Sequence, residues 1–530
     1  MERYYAVKNI KVRGRKIMKK YRILAAAAAL AIFAAGCSPQ TTNKADKEPV
    51  TLKVEIFERG DVPAGAGSIT DNAMTKWIQQ EFGDPNNITM EFVAVPRTQE
   101  RQQLNVLMAA GEAPDIIVSY NYDLMYSFYT QGGLTDLTPY MDDAKELTKF
   151  LGDEVLDYGK FDGKQILIPS KRLLTGRTAQ LVRKDWLDKL GMEAPTTTEE
   201  FYQMLKAFKE KDPGGLGDRT IPYGMSMHIP HFEDLVNSFI DYDSMTEAEI
   251  MSTPVCMMPG YKEGLRFLNK LYNEGLISPD FALDKDRKQM EADFANGLVG
   301  FINDDLGRPI QIGASFETLK KNNPDAELVA VDTFSDKDGN HPKKIYDPVG
   351  LYIAIPKASE NADAAMKYLN WMAQEDVLFT LQFGQEGVNY TLDENGFPST
   401  IDSEESRKTH WYNLGFDIGL IANGKYIDSM EKSVEFNAIS TGENSELFMD
   451  CYKNSINDGW KLVVMPPNDA KTKYTTTTNE KYLELIAKSV MASPEQFDET
   501  FDKILNEFRK IGGDEILSAT LEQYNQIYSK

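Results

Sequence analysis

Apolar and polar residues alternate along residues 51–57 (TLKVEIF), the signature of a half-buried strand. A helical stretch over 72–82 follows, then a strand over 88–95 (ITMEFVAV), a helix over 97–110 and a strand over 115–119 (DIIVS). Strands alternating with helices predict an α/β fold with a mostly parallel sheet, whose ligands lie beyond the carboxyl ends of the strands. Further along, Thr197 and Glu200 form a capping box ahead of Phe201, Met204, Leu205 and Phe208, one helical face to bury. Residues 261–274 predict a helix stopped by Gly275, 298–303 (LVGFIN) a buried strand, 352–355 a strand closed by Pro356, and 363–374 a helix. From Ser493 onward Phe497, Phe501, Ile504, Leu505 and Phe508 keep amphipathic register. Residues 475–478, four threonines, are expected in a loop, and no internal repeat is present.

The start of the chain breaks this pattern. A basic stretch ending Lys19-Lys20-Tyr21-Arg22 precedes 13 uninterrupted apolar residues, 23–35, too few to span a bilayer but suited to a signal peptide. The basic stretch is long enough that Met18 is an alternative start. Ala34-Ala35-Gly36-Cys37-Ser38 resembles a bacterial lipoprotein lipobox, with Ala34 where Leu is usual. That resemblance implies lipidation of Cys37, cleavage after Gly36 and anchoring to the outer face of the cell membrane by two or three acyl chains. Residues 37–49 are polar and aperiodic, a flexible tether.

Charge divides at the same place. Residues 1–36 carry nine Lys and Arg and one acid, so the formal charge of -23 on 530 residues leaves -31 on the body. Such a body repels phosphate backbones, which argues against nucleic acid as a partner. Besides Cys37, the cysteines are Cys256 and Cys451, for which a disulfide and two free thiols are both open.

Gly111-Glu112-Ala113-Pro114-Asp115-Ile116, then 132–140 (GGLTDLTPY), resemble blocks of the family 1 extracellular solute-binding proteins. Residues 183–191 (RKDWLDKLG) with Pro195-Thr196-Thr197, 272–277 (YNEGLI), Gly384 to Tyr390 and 511–516 (IGGDEI) continue the likeness through most of 50–530. The resemblance implies a two-lobed periplasmic-binding-protein-like fold (type II), each lobe a mostly parallel sheet flanked by helices. One lobe would comprise 50–175 with 350–393, the other 180–345 with 394–530, and hinge crossings would fall near 179–183 and 347–353. It further implies a monomeric receptor that passes a sugar or oligosaccharide to the permease subunits of an ABC importer. Many relatives hold Ca²⁺ in an acidic loop after the capped helix. Here 212–222 (DPGGLGDRTIP) is a residue shorter and puts Gly and Leu where oxygen ligands would stand, so Asp212 and Asp218 fall short of the six to eight oxygens Ca²⁺ takes. No metal and no cofactor are expected.

Sugars are bound by aromatic faces and by side chains that take hydroxyls. Candidates following strand ends and crossings are Glu58, Arg59, Tyr120, Asn121, Tyr122, Lys171, Arg172, Asp304, Asp305 and Arg308; Trp411 and Tyr412, beside His410, offer a stacking platform. Trp186 is expected in the core. The basic residues among these admit an acidic ligand such as a uronate-containing sugar, although an uncharged one is expected. His228 and His231, with Pro230 between them, are poorly spaced for a shared helical face, which disfavours a zinc site with Glu233 as third ligand. No nucleophile elbow, H-E-x-x-H helix or phosphate loop is present. A carbohydrate receptor without catalysis is therefore expected; a surface glycosidase or polysaccharide lyase, or a peptide-binding or adhesion lipoprotein, is the alternative.

Overall fold

The computed structural model describes residues 49–335, 339–461, 463 and 465–528. The expected signal segment, Cys37 and all of the tether before Pro49 lie outside the described residues. No described helix is long and apolar enough to cross a membrane.

Two sheets organise the body. In the first, strand Val50–Glu58 pairs in parallel with Ile88–Pro96, and Val54 bridges Ile116. Next to it, Ile117–Ser119, Val349–Ala354, Ile168–Arg172 and Ala422–Asn423 hydrogen-bond in that order. The second sheet runs Leu328–Val331, Thr178–Arg183, Val299–Asp305, Ile221–Gly224.

Both sheets are mostly parallel, and each holds one reversed strand. Val349–Ala354 is antiparallel to both neighbours, and so is Thr178–Arg183. Each of these strands enters its sheet from the other one, whereas the strands fed by local strand-helix units run the opposite way. Chain crossing thus reverses strand direction. The segments expected as hinges are these two strands themselves; the connections lie just before them, at 173–177 and 345–348, and a third leaves the first sheet after Asn423.

Two large buried cores accompany the sheets. The first draws on 52–168 and 349–422, the second on 182–334 and 485–508. The family resemblance implies that 394–530 belong to the second lobe, but Trp411, Leu414, Ile418, Leu420 and Ile421 pack in the first core. The parallel pairing of Ala422 with Lys171 holds them there. A smaller core around Leu181, Phe294 and Ile302 takes in Phe448 and Cys451.

Local expectations carry through where they rest on side-chain chemistry. Thr197 accepts from the Glu200 amide and Glu200 from the Thr197 amide, both at 3.2 Å, starting helix Thr198–Lys211. Its Phe201, Met204, Leu205 and Phe208 are fully buried, worth about 1.5–3 kcal/mol each. Trp186 is 1% exposed and meets Phe208 edge-on at 5.2 Å. The four threonines at 475–478 lie inside helix Asp469–Met491, not in a loop. Thr475 and Thr478 hydroxyls donate to the carbonyls of Lys471 and Tyr474, which removes the side chains' competition with the helix.

Beyond helix Thr198–Lys211, Asp212 takes a left-handed backbone with φ of 45°. Its carboxylate accepts from Leu216 N at 2.8 Å, Gly217 N at 2.8 Å and Thr220 Oγ1 at 2.9 Å. The loop is closed by its own donors. Cys256 and Cys451 are free, buried thiols in different cores.

Candidate ligand site between the two sheets

The connections between the sheets lie side by side. Tyr346 N donates to Thr175 O at 2.8 Å, Arg172 N to Pro348 O at 2.8 Å and Leu173 N to Asn423 O at 3.2 Å. Residues from all three therefore face one place, a cavity of about 310 Å³ lined by Arg172, Arg177, Asp305, Tyr346, Phe416 and Asn423 among others. The Arg172 and Arg177 guanidinium groups both lie over the Tyr346 ring, 4.5 and 5.5 Å from its centre. Arg172 Nε is anchored on Val349 O at 3.1 Å.

Arg177 links this cavity to a larger one. Its Nη2 donates to Glu233 at 3.0 Å, and Glu233 lines a cavity of about 520 Å³ together with Asn237, Tyr242, Lys344, Trp460 and Lys471. Trp460 and Tyr242 meet edge to face at 5.8 Å, and Lys344 Nζ lies 5.8 Å from the Trp460 ring centre. Both volumes are ordinary for a small-molecule site.

Several polar atoms here are buried with no hydrogen-bond partner among the described residues: Arg177 Nη1, Asn237 Oδ1, Asp347 Oδ1 and Trp460 Nε1. Leaving such groups unpaired costs about 1–3 kcal/mol each, so they are hydrogen-bonding capacity held in reserve at one place. Burial raises the Asp347 carboxyl above the usual carboxylate range, against the pull of Arg172, Lys344 and Lys461. Burial likewise lowers the Arg172 guanidinium.

Of the residues singled out in the sequence, Arg172 and Asp305 line the smaller cavity. Arg59 forms a two-point pair with buried Asp417 at 2.6 and 2.7 Å, while Glu58 accepts from Gly60 N at 2.6 Å. Tyr120 stacks on Phe57 at 5.9 Å under the Arg97 guanidinium. Asn121 caps helix Tyr122–Thr130, and Tyr122 packs against Tyr352 and Phe161. Lys171 donates to Phe150 O. Arg308 pairs with Glu291 at 2.7 Å, outside both linings. Trp411, expected as a stacking platform, is 9% exposed and committed to the first core, whereas Tyr412 is 73% exposed against Phe416.

Lining residues of the two cavities that the sequence reading does not single out as ligand contacts are Arg177, Glu233, Tyr242, Lys344, Tyr346, Trp460 and Lys471. Trp460 is the one with a local signal, a tryptophan directly after a polar turn-forming stretch, Asn457-Asp458-Gly459.

His228 and His231 do converge, but with Asp304 rather than Glu233. Arg287 Nη1 sits among these groups, 2.9 Å from His228 Nε2, 2.9 Å from Asp304 and 2.7 Å from Asp305. A guanidinium already fills the cationic position, and the set forms an ion-pair network. Despite its burial, the Asp304 carboxyl is held below the usual range by His231, the Asp305 amide and Arg287.

The profile of the bacterial extracellular solute-binding proteins matches residues 66–377. The chain belongs to that family. Among its family relatives, Lipoprotein LipO of Bacillus subtilis is 27% identical across 97% of this chain and 99% of that one. The polygalacturonan/rhamnogalacturonan-binding protein YtcQ of the same organism is 24% identical over 84% of this chain and 88% of its own. In fold, the chain is similar to the alginate-binding protein AlgQ2 solved without calcium ion, with a TM-score of 0.62 at 21% identity, over 90% of this chain and 98% of that one. An HMO-binding, ABC-transporter-associated solute-binding protein of Bifidobacterium longum infantis gives 0.64 at 19%, with the same coverage. The architecture is accordingly the two-domain fold of solute-binding proteins, and the protein is an extracellular solute-binding protein rather than an enzyme.

Proposed function

We propose that this solute-binding protein captures a carbohydrate, of oligosaccharide size, in the cleft where the two sheets meet and delivers it to the permease subunits of an ABC importer. The observation that carries this reading is the pair of cavities, about 310 and 520 Å³, whose walls are linked by the Arg177–Glu233 ion pair, with an edge-to-face aromatic pair and several polar atoms that lack partners among the described residues. An aromatic face beside unpaired donors and acceptors matches a pyranose, which offers an apolar face and a rim of hydroxyls. Relatives named as carbohydrate binders, YtcQ among them, support the same substrate class. In this reading one lobe is built on the first core, 50–172 with 349–423, and the other on the remaining segments. Closure about the three connections brings Trp460 and Arg172 onto the same ligand.

The anchor belongs to the same proposal: Cys37 carries the lipid, and 38–49 hold the body at the outer face of the cell membrane. Calorimetry against a panel of oligosaccharides tests the binding function, with Trp460→Ala expected to weaken binding at least about tenfold. Binding of peptides but no saccharide, or turnover of saccharides by the purified protein, defeats the proposal. Mass spectrometry of the mature amino terminus tests the anchor, since Cys37→Ser should abolish both lipid and membrane retention.

A further inference from the structure

The larger cavity carries more positive charge than its own acids balance. Lys344 and Lys471 both line it, and Glu233 is the one carboxylate among the described lining residues. Glu233 is already engaged by Arg177 at 3.0 Å. Asp347, beside Lys344, also answers to Arg172 and Lys461. Asp123 acts on Lys471 from outside the lining, on an exposed position. Around the two cavities, then, Arg172, Arg177, Lys344 and Lys471 face Glu233 and Asp347, while Asp305 is taken by Arg287 and His228. This positive pocket is set in a strongly acidic body.

Burial pushes both lysine amines down from the usual range, and like charge adds to it, Arg177 acting on Lys344 and Lys344 on Lys471. Two mutually repelling ammonium groups beside an aromatic pair are a liability in the empty protein and an asset once an anion enters.

Resting on the reading of this cavity as a saccharide site, we propose that it takes a saccharide bearing an anionic group, a carboxylate or a sulfate ester, held by Lys344 and Lys471 while Trp460 and Tyr242 cover the sugar ring. This reverses the uncharged ligand expected from the sequence. Ammonium groups act as point charges and do not select planar from tetrahedral oxyanions, so both sources share the chemistry.

The test is calorimetry on the purified protein with an oligogalacturonate, its methyl ester and a sulfated galactose oligosaccharide, each at low and high salt. The acid or the sulfate should bind at least about tenfold more tightly than the ester, with salt weakening the charged ligand alone. The ratio of acid to sulfate identifies the source. Lys344→Gln and Lys471→Gln should each lower affinity for the charged ligand roughly ten- to hundredfold and narrow the acid-to-ester ratio. Equal binding of acid and ester, or indifference to both substitutions, overturns the anionic ligand while the saccharide receptor stands. Failure of every saccharide, charged or neutral, brings down both. Circular dichroism checks each variant's fold; should one not fold, the acid-to-ester ratio and the salt response of the unaltered protein decide.

Discussion

Arg287 gives its guanidinium to Asp304, Asp305 and His228 within 2.9 Å, whereas Lys344 and Lys471 face a cavity whose carboxylate belongs to Arg177. Both groups of charge lie near the junction of the sheets. The first is complete within the chain, even at the cost of holding Arg287 in a left-handed backbone with φ of 59°, about 1 kcal/mol for a residue with a Cβ. In the second, the cations outnumber the carboxylates around them. A charge network that closes on itself fixes structure, and one that stays unbalanced is poised for something from outside; proximity to the cleft does not separate the two, but the count of partners does.

The largest break in this comparison should come from the closed network. Arg287→Met leaves Asp304 buried without its cation and should cost about 3–5 kcal/mol in urea unfolding, with only a modest change in ligand affinity. A loss of affinity without loss of stability would mean that Arg287 serves the ligand instead.

A buried acid with a single partner tests the intermediate case. Glu55, fully buried, accepts from Val118 N at 2.8 Å through one oxygen, and its other oxygen has no partner among the described residues. Burial pushes its carboxyl up to about 8 from 4.5. The folded protein therefore holds a proton that the unfolded chain has released. Glu55 contributes stability that is fully present below pH 4.5 and lost as pH rises to about 8. The difference in unfolding free energy between the protein and Glu55→Gln should change on the order of 4–5 kcal/mol across that window. A flat difference would place an unseen partner on the carboxylate.

The unbalanced lysines should behave in the opposite sense to Arg287. With no ligand present, Lys471→Met should leave stability unchanged or raise it by about 1 kcal/mol, because it removes both a desolvated charge and a repulsion. A clear destabilisation would show that Lys471 is structural. The smallest effect is expected at the cysteines. Burial pushes both thiols up to about 12, and they sit in separate cores. Reductant should leave the melting temperature unchanged, and a thiol-alkylating reagent should label Cys451 only on unfolding.

What could be read in the sequence was set by short-range chemistry. The alternation at 51–57, the Thr197 and Glu200 box and the buried face of helix Thr198–Lys211 depend on neighbours within four residues, and the structure agrees with them. Strand direction in both sheets depends on which sheet a strand came from, which no local pattern encodes. The site shows the same divide. Arg172 and Asp305 were legible because they end strands. Trp411 and Trp460 look alike in sequence, yet one is drawn into the first core by the pairing of Ala422 with Lys171, and the other is left facing a cavity. Arg177, Glu233, Lys344 and Lys471 become a site only when segments up to about 300 residues apart converge.

The antiparallel strand Val349–Ala354 has a consequence for how this chain is made. It lies between Ile117–Ser119 and Ile168–Arg172, and Ile353 pairs with Val118, 235 positions earlier. The first sheet stays split until the second has been threaded, so an amino-terminal fragment ending before Val349 has no finished core to fold around. Such long loop closure is slow. Emerging from the membrane, the chain must keep Leu52, Val54, Ile117 and Val118 from aggregating while it waits for its middle strand, and its surplus of acidic charge supplies the repulsion that keeps the waiting chains apart.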